Sequence, residues 1–181
     1  MQSSLPASPR PITTDCIRLD AAWGFFEAPN SIWIGAQSAS LLTGSSRQSC
    51  YRLADSGEVT IRHAENKRLE FCAQDLAERL DLNLTAEAAE LLALADAGDT
   101  AATREFGLFL LAEGRKPTAF AWLLQAAEKK DPDAMDWVST CFLEGIGTSP
   151  DVAQALRWLG EAAATGHAVA HAKIVALQTL S

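Results

Sequence analysis

Apolar and small residues in the second half of this chain return at a fixed step of 36: Trp122 to Trp158, Ala126 to Ala162, Ala134 to Ala170 and Val138 to Ile174. A step of that length, filled by two stretches of helical spacing, restricts the fold to stacked helix pairs, because one pair cannot bury its apolar stripes without a neighbour. Alanines at the recurring positions let helix backbones approach closely. Trp122, Trp158, Phe106, Val138, Phe142 and Ile174 fill the space between successive pairs. Arrays of this kind hold other polypeptides along an extended surface, so the register bears on function as well as on fold.

Punctuation places the helices. Thr85 caps one that runs to about Ala97, where Gly98 supplies a left-handed stop. Asp99 or Thr100 opens the next, which ends at Gly114, and Lys116-Pro117 starts a third, since proline is tolerated in a first turn. Asp131-Pro132 and Ser149-Pro150 repeat the cap-then-proline device for two more, closed by Gly145 and Gly166, and a last helix spans about 168–180. Six helices with short connections pack as antiparallel neighbours.

Within this stretch Ala126-Ala127-Glu128, Ala134, Phe142, Leu143-Glu144-Gly145-Ile146-Gly147, Asp151, Ala155, Trp158, Ala162-Ala163 and Gly166-His167-Ala168 resemble the Sel1-like repeat, a relative of the tetratricopeptide repeat. One full unit covers residues 131–166. Residues 99–130 resemble a shortened unit that lacks four residues, and the Gly-x-Gly turn, around Gly114. The resemblance covers residues 84–181 only and implies a short α-solenoid. It also implies that the first helix of each pair lines a concave face, through Arg104, Leu108 and Leu111, then Asp136, Thr140 and Leu143, then Ala172 and Ala176. Arg104 and Asp136 hold equivalent positions on adjacent first helices, where they either pair with each other or meet a partner.

The first half reads differently. Residues 1–14, with Pro6, Pro9 and Pro11, read as a flexible arm. Residues 15–83 read as a small β-rich or mixed domain. Short runs at Cys16 to Leu19, Ile32 to Ile34, Cys50 to Leu53, Val59 to His63 and Leu69 to Cys72 are rich in aromatic or branched residues and bounded by turn chemistry. Asp55-Ser56-Gly57 and Glu65-Asn66-Lys67 supply tight turns, Ser38 to Ser49 reads as a loop, and Ala73 to Leu80 as a short helix. Trp23, Phe25, Phe26, Trp33 and Tyr51 belong mostly to its core, and any that lie exposed together mark a contact surface. The fold class expected is α+β, a short all-α array preceded by this smaller unit.

Charge narrows the partners. Residues 1–80 carry 8 basic against 9 acidic groups and residues 81–181 carry 7 against 14, which together make the 15 and 23 of the chain. The helical half therefore repels nucleic acid, and a protein or peptide of basic or mixed charge suits it better. No apolar run is long enough to span a membrane or to serve as a secretory signal, which leads us to expect a cytoplasmic protein. Cys16, Cys50, Cys72 and Cys141 lack metal-type spacing and read as free thiols, and Asn83-Leu84-Thr85 is a glycosylation sequon without meaning in that compartment.

Candidate chemistry is sparse. His167 and His171 stand four apart but lack a third metal ligand, and Gly145-Ile146-Gly147 reads as a structural turn because no basic residue follows it. Ser45, Ser46 and Ser49 lie near Arg47 without a nucleophile elbow. His63 with Cys50 or Cys72 is the only thiol and imidazole combination to weigh. No cofactor or metal is expected. The reading is a non-enzymatic adaptor or scaffold gripping a protein or peptide on the repeats, with the N-terminal unit or a second copy of the chain extending a short groove. The alternative is a small hydrolase or ligand-binding domain in residues 15–80 that uses the repeats for docking. By analogy with the bacterial use of such repeats in regulation and secretion, an antagonist of a secreted effector is a third reading.

Overall fold

The structure, a computed structural model, describes residues 31–179. The expected strand at Cys16 to Leu19 and the aromatic residues Trp23, Phe25 and Phe26 lie outside the described residues. Among the described residues, nine helices and three short strands follow in chain order: β1 (Trp33–Gly35), α1 (Ala36–Thr43), α2 (Arg47–Asp55), β2 (Ile61–His63), β3 (Leu69–Cys72), α3 (Ala73–Arg79), α4 (Ala86–Asp96), α5 (Thr100–Ala112), α6 (Lys116–Glu128), α7 (Pro132–Glu144), α8 (Val152–Ala164) and α9 (Ala168–Thr179). The fold is mostly helical, with a small antiparallel sheet on its N-terminal side, and is α+β in that sense.

The sheet has the order β1-β3-β2, with Ile34 opposite Phe71 and Arg62 opposite Glu70. Glu65-Asn66-Lys67 makes the tight turn joining β2 to β3, where Lys67 takes a left-handed backbone and the Arg68 N–H donates to the Asn66 side-chain oxygen at 2.9 Å. Two segments correct the sequence reading. Cys50 to Leu53, expected as a strand, belongs to α2: Ser46 caps it by accepting from the Ser49 N–H, and burial follows helical spacing, with Cys50 inside, Leu53 and Ala54 half-buried and Tyr51 and Arg52 exposed. Ser38 to Ser49, expected as a loop, begins inside α1, whose Ser38, Ala39 and Leu42 are buried and whose end is fixed by Gly44 at φ 62°. Among the described residues, the N-terminal unit is therefore less β-rich than its residue types suggested.

The six later helices lie where their caps placed them, with one adjustment. Thr85, Asp99 and Asp131 each accept a backbone N–H three residues on, opening α4, α5 and α7. For α8 the cap is Asp151, accepting from the Gln154 N–H at 3.0 Å, rather than Ser149. Each helix from α4 to α9 packs on the next across a short connection, as antiparallel neighbours must. One core cluster runs from Ile34 and Phe71 through Leu92 and Phe106 to Trp122, and a second from Leu123 through Val138 to Trp158 and Ala170. The first crosses the boundary drawn at residue 83 without a break. Gly35 N–H donates to Asp96 at 3.0 Å, joining the end of β1 to α4.

Trp122 and Trp158 are both buried at matching places on α6 and α8, and Phe106 meets Trp122 edge-on, with ring centroids 4.9 Å apart. Phe120 and Phe142 meet the same way at 5.3 Å. The Gly145-Ile146-Gly147 segment is a closed turn: Ile146 N–H donates to the Cys141 carbonyl and Asp151 N–H to that of Phe142. Among the described residues, no helix is long and apolar enough to cross a membrane.

Candidate functional site

Side chains on one side of α5, α7 and α9 form adjoining stripes, tied to one another by ionic contacts. On α7 the buried residues Ala134, Met135, Val138, Ser139 and Cys141 take the inner side, which leaves Asp133, Asp136, Trp137, Thr140, Leu143 and Glu144 on the outer one. Arg104 on α5 donates through Nη1 to the Asp131 carboxylate at 2.8 and 3.1 Å and to Asp133 at 3.1 Å, while Nη2 reaches Glu105 at 2.9 Å. Burial alone would lower the Arg104 pKa, but the hydrogen bonds to Glu105 and Asp131 outweigh it and raise the value. On the other flank, Lys173 of α9 donates to both oxygens of Asp136 at 2.7 Å.

The pairing of Arg104 with Asp136 suggested by the sequence is thus not formed. Helical side chains lean toward the N-terminus of their own helix, so long cations reach partners earlier than a position-for-position match predicts. Arg104 finds the cap carboxylate of α7, and Lys173, one position beyond Ala172, finds Asp136.

The remaining expected face residues divide by exposure. Leu108 and Leu111 are half-buried against the core, and Thr140 is half-buried with its hydroxyl donating to the Asp136 carbonyl at 3.1 Å. Leu143, Ala172 and Ala176 are exposed. Sequence reasoning missed Trp137, 38% exposed on the same stripe. Its signal was present, since it is a tryptophan outside the 36-residue register and one position from Asp136. Other large exposed apolar residues among those described are Tyr51 on α2, Leu94 on α4, Val152 and Leu156 on α8, and Val169 and Val175 on α9. No family model, curated protein or solved structure matches this chain.

The stripe's charges are two cations, Arg104 and Lys173, against five carboxylates, Glu105, Asp131, Asp133, Asp136 and Glu144, a net of −3 with every member but Glu144 in an ion pair. What the face offers a partner is therefore the Trp137 ring and the Leu143 and Ala172 side chains within a mildly acidic surround.

The histidines and cysteines have other employment. His167 caps α9: its Nδ1 accepts from the Ala170 N–H at 3.2 Å, which leaves Nε2 carrying the proton given to Asp133 at 2.9 Å. Neither nitrogen is then free for the metal pair with His171. His63 is exposed on β2, whereas Cys50 and Cys72 are buried. Cys50 approaches the Thr43 hydroxyl at 3.7 Å, and Cys72 donates to Gln74 at 3.5 Å. Among the described residues, no hydrogen bond joins His63 to either thiol. Cys141 is buried on α7, and that burial, with Glu144 nearby, pushes its thiol up to about 11, far from the thiolate needed for nucleophilic work. Tyr51, expected in the core, is 42% exposed beside Phe71.

Proposed function

We propose that this chain is a non-enzymatic adaptor that holds a protein or peptide segment against the α5, α7 and α9 face, with the helix pairs acting as a short Sel1-like array. One observation carries the reading: Trp137 stands exposed in the middle of a three-helix surface on which every charged group but Glu144 is already paired with another. Exposed aromatic anchors bordered by neutralised charge suit polypeptide recognition, because the ring contributes large contact area with little entropy to lose. The net acidity of the stripe favours a partner that brings basic groups around an apolar anchor. The 36-residue register and the small residues between helices support the array model, in which this face is the concave one.

The test is capture from native extract by the full chain, compared with Trp137→Ser and Leu143→Ser. Both positions are exposed, so the variants should keep the wild-type circular dichroism spectrum. The reading expects a discrete partner set that disappears with either substitution. An identical set on wild type and variants would contradict it.

A further inference from the structure

A second feature lies away from that face. A cleft of about 350 Å³ opens between the end of α1, one side of α2 and the end of α3. Thr43 and Ser45 border it from the α1 side, and Ser49, Arg52 and Leu53, at helical spacing, present one side of α2 to it. Arg79 and Leu80 close it from α3.

Arg52 is the unusual member. Among the described residues, Arg47 donates to Gln37, Arg62 to Glu70, Arg68 to Asp96, Arg79 to Glu58, Arg104 to its carboxylates, Arg115 to two carbonyls and Arg157 to Gln154 and Glu161. The Arg52 guanidinium has no such partner, in a chain whose acidic groups outnumber its basic ones 23 to 15. The second cation is held loosely, since Arg79 and Glu58 are both nearly half exposed and a pair of that kind adds little. A hydrogen bond from Ser56, then the pairing with Arg79, holds Glu58 below the usual carboxylate range, so it positions Arg79 at neutral pH without burying it.

The surroundings suit an anion with a carbon tail. Arg115 donates to the carbonyls of Leu80 and Asp81, offsetting the negative C-terminal end of α3 that would repel an anion there. The Ser49 hydroxyl can donate when that of Ser46, 3.0 Å away, donates to it, whereas the Thr43 and Ser45 hydroxyls are committed to the Ala39 carbonyl at 2.9 Å and the Thr43 carbonyl at 3.5 Å. Leu53 and Leu80 add an apolar wall.

We propose that this cleft binds a small phosphomonoester, its phosphate between Arg52 and Arg79 and its organic part against Leu53 and Leu80. Two guanidiniums, that of Arg79 shared with the ionised Glu58, face a phosphomonoester charge of about −1.5 to −2 at pH 7, and its three terminal oxygens use more donors than a carboxylate could. The cleft volume is that of a small-molecule site.

The experiment is titration of the full chain with phenyl phosphate, followed by ligand-observed NMR at fixed ionic strength, with inorganic phosphate and benzoate as comparison probes. Saturable binding at about 1 mM or tighter is expected for phenyl phosphate. Weaker binding is expected for both comparison probes, and a loss of about tenfold or more in Arg52→Gln and in Arg79→Gln, with Arg157→Gln unchanged. Arg52→Gln removes no intramolecular bond, so its melting temperature should equal that of wild type. Absence of saturation, undiminished binding in Arg52→Gln, or benzoate binding as tightly as phenyl phosphate would overturn the proposal.

Discussion

At the scale of single residues, the sharpest constraint is at Gly147. Its backbone has φ 72°, and a Cβ added there would stand 2.1 Å from the Lys116 carbonyl oxygen and 3.0 Å from the Phe120 Cβ. Two requirements, a left-handed backbone and direct approach to the start of α6, therefore meet at one atom. Gly114, at φ 75°, has the same backbone demand with open space around it. Gly147→Ala should lose about 3 kcal/mol or more of unfolding free energy in urea titration, and Gly114→Ala only about 1 kcal/mol. Equal losses would show that the approach to α6 is not what selects glycine. The sequence marked the Gly-x-Gly turn as structural, and the close approach to α6 is the physical reason at Gly147.

At the scale of elements, the N-terminal ends of α5, α7 and α9 are joined in series. Asp131 caps α7 through the Ala134 N–H at 2.7 Å and also accepts from Arg104 of α5, while Asp133 meets His167, the cap of α9. Asp131→Ala removes both the cap and the Arg104 partner. It should cost about 2 kcal/mol, the upper end for a cap, and speed amide exchange in the first turn of α7 before that of α8. A loss below about 0.5 kcal/mol would mean that the link bears no load. Caps were legible because Thr85, Asp99 and Asp131 precede apolar runs by the right number of residues. Pro150 misdirected the start of α8 by two residues, since Asp151 could also cap. α1 and α2 were illegible for a different reason: serine favours turns locally, and tertiary burial of Ala39, Leu42 and Cys50 overrides that preference. The Arg104 pairing depended on how far and in which direction a long side chain leans, which register alone does not encode.

At the scale of the whole molecule, the apolar register accounts for the two buried clusters and their order along the chain. It says less about surfaces, because exposure at Trp137 depends on what α5 and α9 leave uncovered. The account's central claim is that this uncovered stripe is where another polypeptide sits. Placing a photo-crosslinking amino acid at position 137, and separately at exposed position 153 on α8, and irradiating in the native cell tests it directly. The account predicts a covalent adduct to a distinct protein from position 137 and none from position 153. No adduct at 137, or the same adducts from both positions, would contradict it.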